Sequence, residues 1–187
     1  MTDDWGLDTW GYGETIVVIA VVLAVLLAVG WYLSYTAVRL DRLHHRVIGT
    51  AAALDAQLVR RAEAALEVAY LAGIDPASAT LLATSAGRVL DFDGSWSQER
   101  LDAESELSEV LRATQAPASE QAVEVAELLD RVRGAGERVQ LARRFHNESV
   151  REARDVRGQR AVRFLHLAGS AKVPLPINFD DDWPAAG

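Results

Sequence analysis

The chain has 187 residues, a formal charge of −8 and no cysteine, which excludes disulfides, thiolate metal sites and thiol nucleophiles. The first 35 residues contribute −4 of that charge and Asp180 to Asp182 another −3, leaving the part between them near −1. Such a balanced body has no phosphate-neutralising basic face, so nucleic acid is not an expected partner. Beyond an apolar N-terminal segment lie about 150 residues, the size of one ordinary domain.

Ile16 to Tyr35 carries no charged side chain. At about 1.5 Å per residue this run reaches about 30 Å, enough to cross the hydrocarbon of a bilayer. Lipid offers the backbone no hydrogen-bond partner, so a lone crossing segment has to be helical. Trp5, Trp10 and Tyr12 precede it and Trp31, Tyr32 and Tyr35 close it, rings that settle among headgroups. Asp3, Asp4, Asp8 and Glu14 stand before the run without Lys or Arg, whereas Arg39, Arg42 and Arg46 follow it. Positive flanks stay inside, which places the N-terminus outside a plasma membrane and the remainder in the cytoplasm. The basic leading region, short apolar core and small-x-small site of a secretory signal peptide are all missing. Ala20, Ala24 and Ala28 form a small-x-x-x-small row that would allow close helix approach, although lipid-facing alanines give such rows by chance. The expected organisation is a short extracytoplasmic N-terminus at 1–14, a transmembrane helix at 15–36, a cytoplasmic bundle at 37–168 and a Pro-rich acidic tail at 169–187.

Leu40, Leu43, Val47, Ala51, Leu54, Leu58, Ala62, Ala65 and Ala69 recur three and four apart, the seam of a helix continuous with the span and ending near Ala72. Gly73 reads as its C-cap, and Ile74-Asp75-Pro76 restarts a second helix with Asp75 as N-cap, running to about Leu90. Asp91 to Gly94 is a turn. Ser95-x-x-Gln98 then reads as a capping box for a third helix to about Thr114, with Leu101, Leu107, Val110 and Leu111 inward and Glu104, Glu106, Glu109 and Arg112 solvated. Ala116-Pro117 interrupts, and a fourth helix from near Ser119 shows Val123, Ala126, Leu129, Val132, Gly136, Val139, Ala142, His146, Val150 and Ala153 on one stripe, continuing past Val162. Pro174 and Pro176 keep the tail out of helix. The fold class is therefore all-α: a single N-terminal transmembrane helix leading into an antiparallel four-helix bundle.

Candidate chemistry is sparse. Glu63/Glu67, Glu106/Glu109 and Glu120/Glu124/Glu127 are carboxylates at helical neighbour spacing, but a bundle di-metal centre needs inward Glu-x-x-His units; solvated faces paired to arginines three or four residues away explain them. His44 and His45 diverge by about 100° on a helix and cannot readily share an ion. His146 falls on the core stripe and reads as a hydrogen-bonded buried histidine. Arg151-Glu152-Ala153-Arg154-Asp155 resembles part of a NUDIX hydrolase core, yet Arg143 and Glu137 occupy the positions where that motif needs Glu and Gly. No catalytic residue, cofactor or metal ligand is assigned, and the protein is not expected to be an enzyme.

Three segments resemble the LemA family of bacterial membrane proteins. Asp55-Ala56-Gln57-Leu58-Val59-Arg60-Arg61 is similar to that family's D-x-Q-L-x-R-R stretch, Ala103-Glu104-Ser105-Glu106-Leu107-Ser108 to A-x-N-E-L-S, and Ala142 to Val150 to A-R-x-x-Y-N-x-x-V. Their order and the single span fit over residues 16 to 180. Ala153-Arg154 replaces a Tyr-Asn pair common in the family, and His146 stands where Tyr is usual. The resemblance implies a helical bundle on an N-out, C-in anchor and no particular reaction. The expected role is a non-enzymatic interaction or scaffold module at the cytoplasmic face, with the lipid bilayer and a protein partner or second copy as its contacts. Its helix faces, and the tail from Phe179 to Trp183, are the surfaces expected to be presented. The alternative is a structural or accessory subunit of a larger membrane complex.

Overall fold

A computed structural model describes residues 8–71, 74–114, 123–159 and 173–182, with side chains described from residue 13 to 70 in the first helix and from residue 127 in the last. The described elements are α1 (Asp8–Leu71), α2 (Pro76–Leu90), α3 (Gln98–Thr114) and α4 (Val123–Gly158), followed by a segment from 173 to 182 that is neither helix nor strand. No strand occurs among the described residues. The chain divides into two compact units, Met1–Arg42 with Val156–Lys172, and Leu43–Asp155 with Val173–Gly187.

In the first unit, α1 is apolar on every side from Ile16 to Val29. From Ile16 to Val29 its large side chains are all exposed, Leu27 by 74% and Val29, the least, by 46%. This is the one helix among the described residues long and apolar enough to cross a membrane, and so much contiguous apolar surface is not a surface for water. The helix needs no local device to continue beyond the span, since nothing between Tyr35 and Leu40 breaks it.

The second unit is the bundle. Ala62, Ala65 and Val68 of α1, Leu82, Ala86 and Val89 of α2, Ala103, Leu107 and Leu111 of α3, and Leu128 and Val132 of α4 make one core. Alanine at several of these positions lets helix backbones approach closely. The α1–α4 pairs Arg46–Glu152, Thr50–His146 and Glu67–Arg131 descend in one helix as they rise in the other, so these two are antiparallel. Asp55–Arg100 and Arg61–Glu104 rise together, setting α3 parallel to α1, while α2 packs on α3 as a helical hairpin.

Asp75 caps α2 as the sequence predicts, its carboxylate accepting from Ala77 N (3.1 Å) and Ser78 N (2.9 Å). The α3 cap differs. Ser97, not Ser95, holds the helix start through Arg100 N→Ser97 Oγ at 3.2 Å, because Asp93 already engages Ser95 N and extends the turn by two residues. Gly94 sits in that turn at φ +86°, where a side chain would be strained. The Gly73 cap, the Ala116-Pro117 break, the start of α4 before Val123 and its continuation past Val162 lie outside the described residues.

Candidate functional site

Two polar features concentrate the chemistry of the bundle: a buried ion-pair layer and, against it, the clamped tail. Arg61, Arg100 and Glu104 are each at most 1% exposed. Arg61 Nη2 donates to Glu104 Oε2 at 2.8 Å and Nη1 to Ser108 Oγ at 2.9 Å. Arg100 bonds Asp55 and lies 3.8 Å from Glu104 Oε1 through Nε, with its guanidinium stacked over Trp96 at 4.6 Å. Two arginines against two carboxylates leave the layer neutral, which is what allows it to be buried at all. Burial still acts on the pair: it pushes the Glu104 carboxyl up, opposed by Arg61, and lowers Arg61 from its ordinary value, opposed by Glu104.

Spacing alone predicts a solvated face for Glu104 and Arg112, and the structure corrects both. Glu104 pairs inward, and Arg112 reaches the tail. Glu67 and Glu106 are surface carboxylates as expected, but their partners are on other helices, Arg131 at 2.5 Å and Arg88 at 2.6 Å, instead of a turn away. The side chains of Glu120 and Glu124 lie outside the described residues.

The tail is a strap, not a free appendage. Asn147 of α4 treats Ile177 as a neighbouring strand would: its Oδ1 accepts from Ile177 N and its Nδ2 donates to Ile177 O, both at 2.9 Å. Gln140 donates to Asp181 O at 2.6 Å, Arg112 to Asp182 O at 2.8 Å, and Ser105 Oγ accepts from Asp180 N at 3.1 Å. Side chains are read as well. Arg143 forks onto Asp181 (2.7 and 2.6 Å) and Arg112 onto Asp180 (3.1 and 2.7 Å), while Arg61 and Arg143 lie over the Phe179 ring at 5.9 and 5.6 Å. Hydrogen bonding to Arg112 holds Asp180 below the usual carboxylate range. Ile177 is buried against Leu54, Leu58 and Val139. Phe179, expected to be offered outward, is packed inward; Trp183 lies outside the described residues.

Arg143→Ala would leave the Asp181 carboxylate, 3% exposed, without its partner. The expected loss is about 2–3 kcal/mol of stability, with faster amide exchange at Ile177 and Asp180 by hydrogen-exchange mass spectrometry. Arg143→Lys should recover only part, since an ammonium cannot fork.

His146 is buried, as predicted, 3.2 Å from Thr50 Oγ1 through Nδ1. Burial lowers its pKa from 6.5, opposed by hydrogen bonding to the backbone of Leu175 and Val47. Between the folded pKa and 6.5 the unfolded chain binds more protons, so stability rises with pH across that window. It is fully present above about 6.5 and is lost as pH falls towards the folded pKa. Denaturant midpoints should drop from pH 7.5 to pH 5.5, and His146→Gln should flatten that slope.

Other candidates carry less. His44 and His45 are both exposed, their rings edge to face at 6.2 Å. Arg151 pairs with Glu148 and Glu152 with Arg46, so the NUDIX-like run is a surface of ion pairs. Among the described residues no three His, Asp or Glu side chains gather where a metal ion could sit. A shallow groove between α1 and α4 has Ala53, Leu141 and Phe145 with Arg46 and Arg138 around it.

The three segments singled out in the sequence meet at the layer and the strap. Asp55 and Arg61 come from the first, Glu104 and Ser108 from the second, Arg143 and Asn147 from the third. Comparison of the chain with models of known families, with characterised proteins and with solved structures returns no match.

Proposed function

We propose that the protein is a single-pass membrane-anchored interaction module of LemA type, with its N-terminus outside and its bundle at the cytoplasmic face of the plasma membrane. The observation that carries this is the exposed apolar run of α1 from Ile16 to Val29, preceded only by acidic and followed by basic charge. Hydrocarbon solvates the first and the positive-inside rule orients the second. The convergence of Asp55, Arg61, Glu104, Ser108, Arg143 and Asn147 supports the family reading: residues quoted for the resemblance act together in holding the bundle and strap. Their polar groups are directed at one another and at the tail, an arrangement suited to a rigid scaffold better than to turnover.

A cysteine-free chain allows a direct test. Thr9→Cys should react with a membrane-impermeant maleimide in sealed cells, and Arg144→Cys only after lysis; the reverse pattern overturns the orientation. Full-length protein captured from solubilised native membranes should retain a stoichiometric partner that the anchor alone does not. Recovery of none would remove the interaction role.

A further inference from the structure

We propose that the groove holding the strap is an extended-peptide site that also takes the strap of a second copy, so that neighbouring molecules exchange residues 175–182. This rests on the reading of the bundle as an interaction module and names one partner for it.

The groove reads main chain and side chain together. Asn147, Gln140, Ser105 and Arg112 engage the backbone from Ile177 to Asp182, the mode by which proteins bind extended segments in trans. Specificity comes from an apolar pocket for Ile177, a ring site for Phe179 and arginine forks for Asp180 and Asp181. The pattern read is apolar, Asn, aromatic, Asp, Asp, with Asn147 Nδ2 also donating to Asn178 Oδ1 at 3.4 Å, and every copy of the chain carries one groove and one matching segment.

All strap contacts are non-covalent, so a strap from a neighbour would make the same bonds as the molecule's own. Exchange then costs little in contact energy. Residues 160–172 separate α4 from the strap in the chain. Charge favours the pairing as well: two of the strap's aspartates, Asp180 and Asp181, are ion-paired to Arg112 and Arg143 of the groove. Confinement of copies to a membrane plane raises their effective concentration for one another.

The test uses two full-length variants, Asp181→Arg and Arg143→Asp. Each places like charges against one another within its own groove, whereas in a mixture each strap meets a complementary groove on the other. Co-expressed with different tags and solubilised in mild detergent, the pair should co-purify at least tenfold above either variant with itself. Co-purification no greater than that of each variant with itself overturns the proposal. If either variant loses its helical circular dichroism, a fluorescent peptide of residues 173–182 decides instead. It should bind Asp180→Lys/Asp181→Lys protein, whose own strap is displaced, at least tenfold more tightly than wild type. No gain overturns the exchange. A failed exchange with a stoichiometric partner still captured from native membranes removes only the copy-to-copy contact; failure of both removes the interaction reading.

Discussion

Glu104→Ala is expected to cost about 3–5 kcal/mol of bundle stability, because it strips the partner from a guanidinium that no solvent reaches. As hydrogen-bond acceptors Arg61 would retain only Ser108 Oγ and the Glu104 carbonyl, at 2.9 and 3.2 Å, both neutral. Arg61→Ala should cost a similar amount by leaving the Glu104 carboxylate buried. The double variant Arg61→Met/Glu104→Leu should fall within about 1.5 kcal/mol of wild type, since two apolar side chains of similar volume need no desolvation. Ser108 loses nothing essential there, as its hydroxyl also donates to Glu104 O at 2.9 Å. Urea denaturation of the four proteins in one detergent measures the coupling. Additive losses would show that the pair is not a unit.

The second large effect is on the span. Leu26 is 61% exposed on the apolar run, near its middle, and Leu26→Arg exchanges a favourable residue for one that costs about 3 kcal/mol or more at a helix centre. That is over a hundredfold in partition. The variant should move from the carbonate-resistant membrane fraction to the soluble or degraded one. Leu26→Val should stay with the membrane. An arginine variant that remains fully membrane-embedded would mean that this run is not the anchor.

Much of the architecture is legible in sequence because helices repeat at short range. The seam of α1, the Asp75 cap, the ends of α2, the C-terminal end of α3 and the burial of His146 all follow from spacing within a few residues. The buried ion pairs do not. Arg61 lies three residues after Leu58 and four before Ala65, and Glu104 lies between Leu101 and Leu107, both on inward registers. Their charge argues for solvent in any single helix, and only the partner on another helix reverses the sign of that argument. Register is the available signal: a charged residue at a core position on each of two helices that pack together is a candidate pair. The strap is readable only in part. Its prolines exclude helix, but its bonds reach 30 to 75 residues back in the chain, beyond any local periodicity.

The strap has a practical consequence, since the chain contains a single lysine, Lys172, just before it. An endoprotease specific for lysine therefore divides the molecule at that one bond and turns residues 173–187 into a separate polypeptide. Whatever keeps the fragment with the bundle afterwards is the clamp alone, and its escape rate after dilution times how long Arg143, Arg112 and Asn147 hold on.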